Sequence, residues 1–256
     1  MIMSSNGTLS GRTILITRTD EGNISEREKL ENLGATVREL PTIELGPPTD
    51  TSLIDKAIKE VSSFDWIVFT STNGVKTFFA RLGVQERGCI KAKFACVGPL
   101  TQKAVIAHGF DVSLVPKEFL TKCLGMEMVQ KCNLQGAKVL LARSENANPE
   151  IALILRNAGA IVVEAPVYKA SSLKRIDPIG RELLKEVTDI TLTSPSTVDG
   201  LLSNFSAEVL NSINVKVHCI GPVTADRAIS AGLKVSSTAK VHTIDGLIDT
   251  IENIGD

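Results

Sequence analysis

Two stretches of the chain hold residues suited to binding an anion. Ile220-Gly221-Pro222-Val223-Thr224 ends an apolar run and opens a helix-forming segment that reaches Gly232. Val97-Gly98-Pro99-Leu100-Thr101 does the same and reaches Gly109. Glycine lets the backbone approach a ligand, and proline contributes no N–H to the first helical turn. The N–H groups that follow have no partner within the helix. With the hydroxyl of Thr101 or Thr224 they suit a carboxylate. Well-capped helices in an ordinary α/β protein would use the same residues, but two copies at matching places favour a cleft lined from both halves. Ser71, Thr72 and Asn73 follow the apolar run from Trp66 to Thr70, and Ser194, Ser196 and Thr197 fall at the end of the matching stretch from Asp189 to Ser194 and just after it. Their side chains can bind a ligand or cap the next helix. Arg18 and Arg143 close two further apolar runs, where a guanidinium can clamp a carboxylate through two bonds or simply face solvent.

The elements that must carry these residues occur twice. Gly136-Ala137-Lys138-Val139-Leu140-Leu141-Ala142-Arg143 repeats Gly11-Arg12-Thr13-Ile14-Leu15-Ile16-Thr17-Arg18, and Ala158 to Pro166 repeats Leu33 to Pro41. Asp189 to Ser194 answers Asp65 to Ser71, and Gly221 answers Gly98. The offsets agree: 159 − 34 = 125 and 221 − 98 = 123. Units of this length are duplicated domains rather than solenoid repeats. Short β-rich runs alternate with helical spacing, such as Leu53 to Val61 and Val75 to Leu82, which predicts parallel sheets covered by helices. Ligands of such sheets sit at the C-terminal ends of the strands, where Arg, Ser/Thr/Asn and Gly-Pro-x-Thr all fall in each half.

Composition excludes several classes. The 256 residues carry a net charge of −1, so no basic surplus exists to neutralise nucleic-acid phosphates. Aromatic residues at 4% argue against a base-stacking platform. No apolar run approaches the length of a membrane span, and Met1 to Ser10 lacks the pattern of a signal peptide. Five cysteines without a CxxC pair fit reduced thiols in a cytoplasmic, soluble protein. The three histidines are dispersed, and no G-x-G-x-x-G or P-loop is present, so the residues specify neither metal nor cofactor.

Taken in order, six motifs resemble the uroporphyrinogen-III synthase family over nearly the whole chain. They are Ile16-Thr17-Arg18, Phe69-Thr70-Ser71-Thr72-Asn73-Gly74-Val75, Val97-Gly98-Pro99, Pro166-Val167-Tyr168, Thr193-Ser194-Pro195-Ser196 and Gly221-Pro222-Val223-Thr224-Ala225. The resemblance implies two flavodoxin-like parallel-sheet α/β domains joined by a two-stranded linker, with the N-terminal strands belonging to the C-terminal part. Residues 1–40 plus 171–256 then form the first domain and 46–164 the second. Residues 41–45 and 165–170 are the linker strands, and each contains a proline, which a central strand tolerates poorly.

The implied reaction closes hydroxymethylbilane, a linear tetrapyrrole, to uroporphyrinogen III. The terminal hydroxyl leaves, the last ring attacks through its substituted carbon, and a spiro intermediate fragments and reattaches inverted. The resemblance implies no cofactor and no metal. It places Tyr168, the only tyrosine, in the cleft as the catalytic candidate, a neutral phenol able to protonate the leaving group. Arg18, Ser71, Thr72, Asn73, Gly98, Thr101, Arg143, Ser194, Ser196, Thr197, Gly221 and Thr224 are the substrate-binding candidates. Many relatives carry Gly-Arg after the second arginine-bearing strand, and Arg143-Ser144-Glu145-Asn146-Ala147-Asn148-Pro149 departs from that. The expectation is a cytoplasmic monomer acting on a small molecule, in transient contact with hydroxymethylbilane synthase, with no nucleic acid and no membrane as partner. Hinged α/β pairs also make non-catalytic small-molecule binding or sensor proteins. The isomer formed from hydroxymethylbilane separates the two readings.

Overall fold

The computed structural model describes residues 7–18, 20–173 and 182–254. Residues 1–6, within the segment read for a leader, and residues 174–181, within the expected first domain, lie outside the described residues. The strands are β1 (Thr13–Ile16), β2 (Thr36–Glu39), β3 (Ile43–Gly46), β4 (Trp66–Phe69), β5 (Lys93–Cys96), β6 (Val112–Leu114), β7 (Lys138–Ser144), β8 (Ile161–Ser172), β9 (Asp189–Leu192), β10 (Lys216–Cys219) and β11 (Ser237–Thr238). The chain divides into two compact units, one of residues 1–45 and 171–256 and one of residues 46–170.

Each unit has its own sheet. The first unit's runs β11-β10-β9-β1-β2, and the other sheet runs β3-β8-β7-β4-β5-β6. Every pairing within the first sheet is parallel, as are β7–β8, β4–β7, β4–β5 and β5–β6 in the second. Numbered by their place in the repeat, both sheets contain the order 2-1-3-4-5, which is the flavodoxin-like arrangement, and the second carries β3 as a sixth strand beside β8. The first unit takes its strands in sequence. The second takes its third, fourth and fifth strands (β4, β5, β6) from the chain before its first and second (β7, β8). It is therefore the same fold entered at a different strand.

The residue pattern explains the layers. All four residues of β4 are buried. Ile67 and Phe69 join one core with Phe78, Phe79 and Phe94, while Trp66 and Val68 join the opposite core with Leu124, Met128 and Leu155. Strand side chains alternate between faces, so a sheet with helices on both sides needs this near-continuous apolar run. In the first unit Leu15 faces the core of Ile190, Leu192 and Val198, while Ile14 and Ile16 face that of Leu30, Leu247 and Ile251. Each fully buried aliphatic or phenyl side chain contributes about 1.5–3 kcal/mol. The helices Pro99–Ala107 and Pro222–Ser230 end before Gly109 and Gly232, both at φ +87°, where a side chain would be strained.

Strand β8 differs from expectation. The crossing segment is no separate element but continues the repeat-equivalent strand without interruption to Ser172. Pro166 is accommodated because the β7–β8 register shifts beside it, between Arg143 and Ser144. The missing proline N–H falls where the ladder is already irregular.

Candidate functional site

Because the five repeat strands within each sheet run parallel, the residues after each of them converge at one end of that sheet. There the helix starts fall into two kinds. Ser71 caps the helix Thr72–Arg81 by accepting from the Gly74 N–H at 3.0 Å. Ser194 caps the helix Pro195–Leu202 in a capping box with Thr197, whose hydroxyl accepts from the N–H groups of Thr193 and Ser194 at 3.2 and 3.1 Å. Ser196 Oγ lies 2.9 Å from Ser194 Oγ. Thr197 is 1% exposed, so its hydroxyl serves the cap. By contrast, no side chain caps the helices that start after Gly98 and Gly221. Their first-turn amides are left for a ligand or solvent, and the helix dipole favours an anion there. Thr101 and Thr224 are buried in the third helical position of their helices. Thr72 and Asn73 occupy the first two positions of theirs and are half-buried.

Tyr168 sits on β8 in the second unit, with its ring against the phenylalanine-rich core. Its hydroxyl lies 3.1 Å from Ser71 Oγ, and Ser144 stands opposite it across the β7–β8 ladder, its hydroxyl near enough to favour the charged phenol. Burial pushes the phenol above its ordinary range and the two serines pull it back, so it remains neutral across physiological pH. The chain thus unites Ser71 and Tyr168, residues 97 apart in sequence, and Ser144 completes the group.

The two arginines have different surroundings. Arg143 is 5% exposed; its Nη1 donates to the Asn148 carbonyl at 2.6 Å and its Nη2 pairs with Glu164. Arg156 approaches the same carboxylate at 2.8 Å. Burial raises the Glu164 carboxyl, but the bonds from Arg156 and Arg143 outweigh it and hold the group below its usual range. Arg18 is about one-third exposed, with Nη1 4.0 Å from Glu26 Oε2. Glu26 is 1% exposed; burial raises its carboxyl, opposed by the Thr191 hydroxyl at 2.7 Å and by Arg18. Among the described residues its Oε2 meets no hydrogen-bond donor. Arg143 is therefore committed within its own unit, which separates it from the other carboxylate-clamp candidate.

Sequence reasoning missed Glu26, Ser144 and Glu164. Glu26 had a readable signal: 26 + 125 = 151, and the matching residue is the buried Ile151. A carboxylate where the repeat has a core isoleucine marks a special position. Cys96 and Cys219 also match, and burial raises both thiols to about 12, leaving them inert. Among the described residues no group of three His, Cys, Asp or Glu is placed to hold a metal ion. No described helix is long and apolar enough to cross a membrane. A cavity of about 600 Å³ lies at the opposite end of the second sheet, lined by Phe64, Trp66, Lys93 and Gly136 among others, and none of the expected site residues borders it.

A family model described as uroporphyrinogen-III synthase HemD matches residues 25–249. The chain belongs to the uroporphyrinogen-III synthase family. The uroporphyrinogen-III synthase of Synechococcus elongatus is 31% identical over 95% of this chain and 96% of its own length. The porphyrin biosynthesis protein HemD of Ruminiclostridium josui is 30% identical over 96% of this chain, which spans 49% of that longer protein. A uroporphyrinogen III synthase mutant from Thermus thermophilus superposes with a TM-score of 0.63 at 17% identity, over 94% of this chain and 97% of that one. The Helicobacter pylori enzyme gives 0.62 at 18%, over 94% and 98%. These likenesses confirm the two-unit parallel-sheet α/β fold. Family membership makes the chain an enzyme of tetrapyrrole biosynthesis, a cyclising lyase acting on a small molecule.

Proposed function

We propose that the chain closes hydroxymethylbilane to uroporphyrinogen III with inversion of the last ring. The observation that carries the mechanism is the phenol of Tyr168, neutral, 3.1 Å from the Ser71 hydroxyl and opposite Ser144 on the neighbouring strand. Departure of hydroxide from the bilane needs a proton, and a positioned general acid contributes about 10²–10⁴-fold. Tyr168 supplies that proton and water restores it. The substrate carries many carboxylates. The uncapped first turns after Gly98 and Gly221, together with Arg18, bind some of them by donating charge-assisted bonds. Ser71, Thr72 and Asn73 in one unit, and Ser194 and Ser196 in the other, supply neutral donors. Thr101, Thr224, Thr197 and Arg143 act from behind, by shaping these turns. Holding the bilane in one conformation directs attack to the substituted carbon instead of the free one. The protein works as a cytoplasmic monomer and meets hydroxymethylbilane synthase transiently.

Freshly prepared hydroxymethylbilane given to the purified protein should yield the type III isomer, resolved from type I by chromatography. Formation of type I alone, at the spontaneous rate, would refute the assignment. Tyr168→Phe should slow single-turnover formation of type III by at least roughly tenfold without abolishing it. An unchanged rate in the folded variant would remove Tyr168 from the chemistry.

A further inference from the structure

The segment from Ser144 to Pro149, where the sequence departs from the family pattern, makes a set of bonds with no stated purpose. The register shift in the β7–β8 ladder brings Ser144 opposite Tyr168, where an unshifted ladder would bring Glu145. The Glu145 N–H donates to the Tyr168 carbonyl at 2.8 Å, and Asn146 Nδ2 donates to the Ala170 carbonyl at 3.1 Å. The loop therefore holds the backbone on both sides of Lys169. It is itself anchored. The Glu145 carboxylate accepts from the Thr49 N–H at 2.6 Å and the Thr49 hydroxyl at 2.8 Å, and Lys169 Nζ lies 3.4 Å from it.

We propose that Ser144 is a positioning residue for Tyr168, donating its hydroxyl to the phenol oxygen while the Glu145 anchor holds the loop in register. The inference rests on Tyr168 being the proton donor. A phenol has one O–H and two acceptor sites. Ser71 Oγ already accepts from the Gly74 N–H, which leaves its own proton to donate to the phenol. With Ser144 donating as well, both acceptor sites are filled and the phenol's single proton is directed away from the protein, toward a leaving group. The same two bonds stabilise the oxygen as its proton departs, and so offset the cost of forming a phenolate in a buried place.

Tyr168 is the only tyrosine, so its titration can be followed by ultraviolet absorbance without interference from another phenol. Ser144→Ala should raise the midpoint of that titration, and Ser144→Thr should return most of it. Ser144→Ala should also lower kcat by roughly five- to tenfold with little change in KM, about the effect of one hydrogen bond. In a Tyr168→Phe background the same substitution should have no further effect on rate. A Ser144→Ala variant with an unmoved phenol midpoint, or with equal rate losses in both backgrounds, overturns the inference. The two readings fail separately. If Tyr168→Phe alone leaves the rate unchanged, the proton-donor assignment falls. If Tyr168→Phe slows the reaction and Ser144→Ala does not, only the role of Ser144 falls.

Discussion

Arg18 and Arg143 occupy the same place in the two repeats (18 + 125 = 143), yet the units use them differently. In the second unit the carboxylate at the end of the neighbouring strand, Glu164, meets Arg143 and Arg156, and the three charges close on one another. In the first unit the matching carboxylate, Glu39, is paired with Arg27 at 3.4 Å. Arg18 instead has Glu26 behind it at 4.0 Å. Duplication supplied two strand-end guanidiniums. The carboxylates around them differ: Arg143 is enclosed with Glu164, whereas Arg18 faces the buried Glu26 with a third of its side chain exposed.

Removing each arginine in turn separates the two roles. Arg143→Ala should lower stability by about 2 kcal/mol, since it deletes a buried ion pair and the bond to the Asn148 carbonyl. Arg18→Ala should cost well under half of that and instead raise KM roughly tenfold. Urea melts and steady-state kinetics on both variants decide, and the reverse pattern would exchange the two roles.

A smaller effect separates the two carboxylates by pH. The folded-state carboxyl of Glu26 is raised, so the native state holds a proton that the unfolded chain releases above its ordinary value near 4.5. Its contribution therefore falls as pH rises from there, and Glu26→Gln should flatten that loss, gaining on the order of 1 kcal/mol at pH 8 relative to wild type. Glu164 is lowered, so its contribution is present above 4.5 and is lost as pH falls. Glu164→Gln should destabilise by about 1 kcal/mol at pH 8 and progressively less below pH 4. Denaturation midpoints across pH 3 to 8 test both, and parallel slopes for the two variants would contradict the assignment.

The smallest expected effect concerns the paired glycines. Both are extended, at φ −168° for Gly98 and −178° for Gly221, so neither turn is strained by a side chain. The expected difference comes from packing. A Cβ at Gly98 would touch Phe119 at an ordinary 3.4 Å, whereas one at Gly221 would come within 2.9 Å of the His242 ring. Gly221→Ala should cost about 1 kcal/mol, Gly98→Ala less than about 0.5 kcal/mol, and His242→Ala should relieve the first. Equal thermal midpoints for the two glycine variants would show that the ring moves aside freely.

Much of this was legible before any coordinates. The runs read at Thr13 to Thr17, Trp66 to Thr70, Phe94 to Val97, Lys138 to Ala142, Asp189 to Ser194 and Val215 to Ile220 each hold a sheet strand, because a doubly covered parallel sheet requires runs of that kind and the repeat offsets match them in pairs. The helix ends at Gly109 and Gly232 followed from backbone sterics. Bonds across the sheet were harder to read. Ser144 reaches Tyr168 only because a register shift inserts one residue, and no local pattern announces a shift. The fate of Arg143 depends on Glu164 and Arg156, which are separated from it by 21 and 13 residues and brought close only by the β7–β8 ladder and the helix Glu150–Asn157. Ser194 and Thr197 satisfied a capping box whose sequence signature was present, yet the same signature serves a ligand loop equally well.

The altered point of entry into the second unit has a consequence on the ribosome. All strands of residues 46–170 are synthesised consecutively, so that unit can close as soon as β8 has emerged. In the first unit β1 must wait for β9, with Ile14 paired to Asp189 across 175 residues. Such distant partners are slow to meet, and domains fold as units as they emerge during synthesis. The nascent chain thus carries two orphaned strands, β1 and β2, with buried faces such as Ile14 and Ile16 uncovered until β9 has been made. During that interval chaperones have the most to protect.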